Sequence, residues 1–215
     1  MLLNPENKIS VKEINNPDYI PVMETFYSIQ GEGFNVGKPA TFIRLAGCDV
    51  GCVWCDVKES WEVSNNQVIN INDLVDEALS HPCKNIVITG GEPCMYNLNN
   101  LTSILHKNGF QLWLETSGAY PLSGEFDWIC VSPKKFKKPL DEVLLHADEL
   151  KIVVFNKSDF EWAEEHAKMV SPECKLFLQP EWDKRDSMSP LIIDYAKENS
   201  QWNISLQIHK YLNIR

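Results

Sequence analysis

Two kinds of apolar pattern alternate along the chain. Short unbroken apolar runs predict strands at Val22–Ile29, Thr41–Ala46, Asn85–Thr89, Gln111–Glu115, Trp128–Ser132, Leu150–Phe155, Lys175–Gln179 and Ile204–Ile208. Between them, apolar residues return every three or four positions. That spacing predicts helices over Ile71–Ser80, Leu98–Asn108, Leu140–Ala147, Ser158–Met169 and Ser189–Glu198. Asn72, Ser158 and Ser189 are the expected N-caps, and Pro190 suits a first helical position. Alternating strands and helices imply an α/β fold with parallel strands joined by right-handed crossovers. The helices are too few and too short for an eight-fold barrel, so a partial, open α/β barrel is expected. It would be a single domain over residues 19–215, behind an N-terminal extension at 1–18. Such sheets bind ligands beyond the carboxyl ends of their strands. Polar and glycine-rich segments sit at those ends: Gln30-Gly-Glu-Gly33, Cys48, Thr89-Gly-Gly-Glu92, Glu115-Thr-Ser-Gly118, Ser132-Pro-Lys134 and Gln179-Pro-Glu-Trp182.

At 215 residues and 44% hydrophobic content the chain can bury a substantial core. No apolar run approaches the ~20 residues that cross a membrane, and the N-terminus lacks an apolar signal core. A net charge of −10 argues against a general nucleic-acid binder. The basic stretch Lys134-Lys-Phe-Lys-Lys138 reads mostly as a solvated loop. Seven cysteines, an odd number, suit a reducing cytoplasm and metal ligation better than a disulfide framework. Cys83, Cys94, Cys130 and Cys174 are scattered and read as small buried hydrophobes.

The other three cysteines form Cys48-Asp-Val-Gly-Cys52-Val-Trp-Cys55. Gaps this short cannot close as ordinary disulfides without strain. Zinc normally needs a fourth protein ligand, and no second Cys or His pair follows at regular spacing. A 4Fe–4S cluster on three thiolates would leave one iron open to another ligand. The spacing alone also fits a zinc site or packed core thiols. Its context narrows the choice: the triplet follows the apolar strand that ends at Ala46, and a second apolar strand ends in Gly90-Gly-Glu92.

The triplet, the aromatic Trp54 inside it and the Gly-Gly-Glu segment resemble the radical S-adenosylmethionine (SAM) enzymes. Within them, Glu24-Thr-Phe-Tyr-Ser-Ile-Gln-Gly-Glu-Gly33, Glu115-Thr-Ser-Gly118, Leu150-Lys-Ile-Val153, Gln179-Pro180 and Ser205-Leu-Gln-Ile-His-Lys210 are similar, in order, to the 7-carboxy-7-deazaguanine synthase family. That resemblance covers nearly all of the chain from about residue 20. It implies conversion of 6-carboxy-5,6,7,8-tetrahydropterin to 7-carboxy-7-deazaguanine with loss of ammonia, on the way to queuosine and related bases. SAM bound to the reduced cluster would yield a 5′-deoxyadenosyl radical that takes a hydrogen from the pterin.

The same resemblance places Cys48, Cys52 and Cys55 on the cluster. Trp54, Gly91, Glu92, Ser132, Pro133, Lys134, Gln179, Pro180, Glu181 and Trp182 would meet SAM. Ile29, Gln30, Gly31, Glu32, Arg44, Thr89, His209 and Arg215 would meet substrate. Arg44 has a chemical reason of its own: a guanidinium in an apolar strand needs a partner, and the pterin carboxylate matches its fork. The chain ends at Arg215 where the family carries a small residue or proline, so the expected contact there is the terminal carboxylate. The family's Mg2+ site is the other departure. Its usual Thr after Cys-Asp is Val57, which leaves Asp56, a backbone carbonyl or water to hold the ion. An electron donor such as flavodoxin or ferredoxin and a homodimer are also implied. A glycyl-radical activase, with similar cysteine spacing, and a non-catalytic iron–sulfur or zinc interaction module are the alternatives.

Overall fold

The computed structural model describes residues 16–64 and 67–215; most of the expected N-terminal extension, residues 1–15, lies outside them. Nine strands form one open sheet: β1 (Tyr19–Ile29), β2 (Pro39–Leu45), β3 (Val68–Asn70), β4 (Asn85–Gly90), β5 (Gln111–Thr116), β6 (Trp128–Val131), β7 (Glu149–Val154), β8 (Lys175–Pro180) and β9 (Trp202–Ile204). Their order is β3-β1-β2-β4-β5-β6-β7-β8-β9. From β2 to β9 every neighbour runs parallel. Helices α1 (Ile71–Ser80), α2 (Asn99–Lys107), α3 (Asp141–Leu145), α4 (Ser158–Ala167), α5 (Arg185–Glu198) and α6 (Ile208–Leu212) complete the fold.

Strict alternation along the central strands sorts side chains between two faces. Ile43 and Leu45, Ile86 and Ile88, Leu112 and Leu114 are fully buried and pack with the apolar stripes of α1 and α2. Leu150, Ile152 and Val154 do the same with α3, α4 and α5. The intervening residues face the other way. Phe42, Val87 and Trp113 make a small apolar floor there, and one step further along the strands stand Arg44, Thr89, Glu115 and Lys151. The helix-covered face holds the fold together, and the opposite face carries the polar groups.

Several expectations need correction. The sheet is not wholly parallel, because β1 pairs antiparallel with both β2 and β3. Strand direction leaves no mark on apolar patterning, so the sequence could not show this. Ile29 therefore sits beside Pro39, the first residue of β2. The segment 30–38 thus crosses the amino-terminal opening of the parallel strands, not their carboxyl ends. The expected strand Ile204–Ile208 leaves the sheet after Ile204, and Ile208 begins α6. The alternation of Ile204 and Leu206 is real, but both side chains stay exposed, and the Ile208 amide bonds the Gly31 carbonyl (2.9 Å) instead of a strand.

Helix starts also shift. Asn70, not Asn72, caps α1 by accepting from the Asn72 amide (2.9 Å). Lys157 holds the cap position of α4, where Asn156 accepts from the Ser158 amide. Helix α5 begins at Arg185 after a short 3-10 turn, so Ser189 and Pro190 lie inside it.

Candidate active site

The cysteine loop leaves the end of β2. The Gly47 amide bonds the Ser60 carbonyl (2.6 Å), the Cys48 amide bonds the Trp61 carbonyl (3.2 Å), and the Cys55 amide bonds the Cys52 carbonyl (3.1 Å). All three thiols are free of disulfides and line one cavity of about 250 Å3. Burial pushes Cys48 and Cys52 up, Cys52 to about 11, and charge on the neighbouring thiols would raise both further.

The Gly90-Gly-Glu92 segment clasps this loop. The Gly91 amide bonds the Leu45 carbonyl and the Glu92 amide bonds the Gly47 carbonyl, both at 2.9 Å. A Cβ on Gly90 would run into the Leu45 carbonyl oxygen, and one on Gly91 into that of Gly47. The two glycines are what lets the ends of β2 and β4 touch. Glu92 is buried, and its carboxylate accepts from the Cys94 amide (3.0 Å), Thr116 Oγ1 (2.6 Å), the Ser117 amide (2.8 Å) and Ser117 Oγ (2.5 Å). Those four donors fill the acceptor sites of a carboxylate. Expected among the SAM contacts, the Glu92 side chain instead ties β4 to β5.

Against this cavity lies a larger one of about 410 Å3. Glu32, Cys55, Asp56, Thr89, Glu115 and Gln207 line both, so the two spaces share a wall. At that wall the Lys151 ammonium donates to Glu32 (2.7 Å) and Glu115 (2.9 Å). Gln30 donates to the other Glu115 oxygen (3.2 Å) and Gln207 to the other Glu32 oxygen (2.8 Å). Burial alone would raise the Glu32 carboxyl, but the Lys151 ammonium and these hydrogen bonds hold it at about 2. Burial likewise disfavours charge on Lys151, yet the surrounding acidic groups hold its pKa well above the ordinary lysine value.

The structure brings most expected site residues to these two spaces. Ile29, Gln30, Gly31, Glu32, Arg44, Thr89, His209 and Arg215 line the larger cavity. Trp54, Gly91, Glu92, Ser132, Lys134 and Gln179 line the smaller one beside the thiols. Lys134 donates to the Ser132 hydroxyl (2.6 Å), and burial lowers its pKa. Gly31 has no room for a Cβ because the His209 ring fills that space. Burial lowers the His209 pKa, with Glu32 opposing.

Four expected SAM contacts line neither space. Pro133 lines a smaller neighbouring hollow with Phe136. Pro180 ends β8; Glu181 caps the following turn by accepting from the Lys184 amide (3.1 Å); and Trp182 packs edge-on to Tyr211 (5.2 Å). The basic stretch is also less solvated than expected: Lys137 pairs with Asp49 (2.8 Å) and Tyr120 (2.7 Å), and Lys135 pairs with Asp159 (2.5 Å).

Residues 29–116 match a protein family described as "4Fe-4S single cluster domain". Over 99% of its length the chain is 47% identical to the whole of a 7-carboxy-7-deazaguanine synthase from Flavobacterium psychrophilum. It is 34% identical to the Escherichia coli enzyme of the same name, over 90% of this chain and 98% of that one. The chain belongs to the 7-carboxy-7-deazaguanine synthase family. A crystal structure of Escherichia coli QueE superposes with a TM-score of 0.80 at 32% identity, covering 87% of this chain and 93% of that one.

In this 7-carboxy-7-deazaguanine synthase family member the donor set fits an iron–sulfur cluster. Three thiols from one loop face one cavity. Among the described residues no three His, Cys, Asp or Glu side chains converge on a point where one metal ion could sit. The three thiols, spread along one cavity wall, would hold a cluster through one sulfur each.

The donor set for Mg2+ is sparse. Asp56 Oδ2 already accepts from Lys210 (2.8 Å) and Gln207 (3.2 Å), which leaves Oδ1 for an ion. Val57 has no side-chain oxygen, and its carbonyl accepts from both the Ser60 amide (3.1 Å) and the Ser60 hydroxyl (2.7 Å).

Sequence reasoning assigned no role to Glu115, Lys151, Gln207, Lys210 or Ser117. A signal for the first two was present, because each is an ionisable residue at an inward register position of an otherwise apolar strand.

Proposed function

We propose that this chain converts 6-carboxy-5,6,7,8-tetrahydropterin to 7-carboxy-7-deazaguanine with release of ammonia, in deazapurine biosynthesis leading to queuosine. The observation that carries the reading is the shared wall between a thiol-lined cavity and a larger polar one. When bound, the cluster and SAM supply the radical that takes hydrogen from substrate. The chain's own residues hold and enclose the reactants. Cys48, Cys52 and Cys55 ligate the cluster. Gly91, Ser132, Lys134 and Gln179 surround SAM beside it, next to the Trp54 ring. In the larger space Arg44 takes the pterin carboxylate, and Gln30, Glu32 and the backbone of Ile29 and Gly31 take the polar edge of the rings. Thr89 and His209 flank the position where the two ligands meet. Lys151 holds Glu32 ionised and, with Gln30, fixes the Glu115 carboxylate, so both side chains offer acceptors to the amino groups of a pterin.

An acidic one-electron donor such as flavodoxin or ferredoxin docks beside the cluster loop. There Val53 is exposed next to Cys52 and shares a hollow with Phe136 and Lys135. The chain forms a homodimer through an apolar patch: the bond from the Gly33 amide to Ser205 (2.9 Å) brings exposed Phe34 and Val36 near exposed Ile204 and Leu206. It works in the reducing cytoplasm, where seven free thiols persist.

Anaerobic incubation of reconstituted protein with SAM, a reductant and the carboxylated pterin tests the reaction. The expected result is a deazapurine product, lost together with SAM cleavage in Cys48→Ala, Cys52→Ala and Cys55→Ala but kept in Cys83→Ala and Cys174→Ala. Full iron loading and turnover in Cys52→Ala would overturn it.

A further inference from the structure

Arg44 is placed to meet substrate, yet its strongest partner in the structure is a carboxylate of the chain itself. Glu24 lies across from it in the β1–β2 pair. A glutamate facing an arginine at this range ordinarily closes a fork-on-fork pair, using Nε and one Nη together. Here it does not. Glu24 Oε1 accepts from Arg44 Nε (2.9 Å), while Glu24 Oε2 is drawn away to Arg215 Nη2 (2.7 Å). Among the described residues neither Nη of Arg44 has a hydrogen-bond partner, and those two nitrogens are the ones a substrate carboxylate would use. Both guanidinium groups lie over the Phe26 ring, Arg44 at 5.7 Å and Arg215 at 5.4 Å. Arg215 reaches this position because Asn213 adopts a left-handed conformation (φ 53°) after α6, and the Ser28 hydroxyl bonds the Arg215 carbonyl oxygen (2.5 Å).

We infer that Arg215 is a positioning residue that acts through Glu24: by holding the second oxygen of Glu24, it keeps Arg44 from being captured by its own neighbour and leaves the fork open for the substrate carboxylate. The inference rests on the assignment of Arg44 to that carboxylate. Without Arg215, Glu24 can swing onto the Arg44 Nη and compete directly with substrate, and its uncompensated charge also repels an incoming anion. Glu24 thereby has two roles that depend on its company. Held by two arginines it fixes the Arg44 plane; held by one it becomes an internal inhibitor. The Arg215 side chain is 69% exposed, so the pair adds little to stability. Its effect falls on substrate affinity.

The test measures dissociation constants of 6-carboxypterin and of 6-methylpterin, alongside KM and kcat, for Arg215→Ala, Arg215→Lys and Arg215→Ala/Glu24→Gln. Iron content equal to that of the parent protein confirms folding. Arg215→Ala should weaken the carboxylated ligand by about tenfold and raise KM more than it lowers kcat, with the methyl analogue unaffected. Arg215→Lys should keep most of the affinity. In the double variant the neutral amide that replaces the Glu24 carboxylate cannot compete as an anion does, so affinity should recover to within about threefold of the parent. Unchanged affinity in Arg215→Ala, or a double variant as weak as Arg215→Ala alone, would show that Arg215 only anchors the chain end. A parent protein that does not prefer the carboxylated ligand would instead remove the assignment of Arg44 to substrate, a separate outcome.

Discussion

Replacing Glu92 by glutamine isolates the clasp between the cluster loop and the sheet. The substitution is nearly isosteric, so any effect comes from charge and donor count. Glu92 accepts two backbone amides and two hydroxyls, one of each kind on each oxygen. The hydroxyls of Thr116 and Ser117 can rotate and accept from the new NH2 group. The amides of Cys94 and Ser117 cannot, so one of them must face a donor. A buried amide orphaned in this way costs roughly 1–3 kcal/mol. The three remaining bonds lose charge assistance, about 1 kcal/mol each. Removing a buried charge returns part of its desolvation cost, on the order of 2 kcal/mol. The net is a destabilisation of about 3 kcal/mol. With a urea dependence of roughly 2–3 kcal/mol/M for a chain of this size, the unfolding midpoint should fall by about 1 M. Circular dichroism of the iron-loaded protein under anaerobic urea titration reads this directly. A midpoint within about 0.2 M of the parent would refute the saturated carboxylate as the joint between β4 and β5.

The close approach of Gly91 to Gly47 predicts that Gly91→Ala folds with a displaced cysteine loop. Iron content after reconstitution should drop severalfold while helical circular dichroism persists, and normal iron loading would contradict the clasp. The Glu32 carboxyl, held at about 2 against an ordinary 4.5, has a depressed folded-state pKa. Its contribution to stability is complete above about pH 4.5 and fades as pH falls toward 2, with an upper limit of roughly 3 kcal/mol. Glu32→Gln should remove that part of the acid sensitivity, read as the difference between the two proteins in urea midpoint at about pH 5 and about pH 3; parallel acid profiles would reject it. Because Lys210 and Gln207 already share Asp56 Oδ2 and Val57 brings no oxygen, calorimetric titration of Mg2+ into the protein should show at most weak binding at this carboxylate. Tighter binding should appear in Lys210→Met carrying Val57→Thr, and Mg2+ binding by the parent protein as tight as by that variant would show that Lys210 and Val57 do not limit the site.

Much of the architecture is written in the chain because the central strands are buried on their helix-covered face. Runs such as Ile86-Val-Ile88 and Leu112-Trp-Leu114 have no other stable place. Strand direction is different, since a hydrophobic pattern reads the same in both senses, and the antiparallel course of β1 is fixed by the short segment 30–38. Ile204-Ser-Leu-Gln-Ile208 alternates like a strand, but Ser205 and Gln207 are spent on Gln179 and Glu32, so the chain follows its polar partners out of the sheet. The cysteine loop and the glycine clasp are legible because few residues other than Cys and Gly can do those jobs. Lys151 was not, because a lysine within Leu150-Lys-Ile-Val153 shows its purpose only when Glu32 and Glu115 arrive from distant parts of the chain.

The segment around Gln207 also sets when a working cavity can exist. Gly31 bonds Ile208, Gly33 bonds Ser205, Glu32 bonds Gln207, Asp56 bonds Lys210 and Ser28 bonds Arg215. Each link joins the first 56 residues of the chain to its last eleven. Contacts of such sequence separation form late, because the loop must close before the contact rewards it. The strands that carry the cysteines can assemble while the chain is still being synthesised, but the wall between the two cavities cannot. During synthesis the thiols therefore stand beside a half-built and open space. Only the final residues complete the wall that the two cavities share.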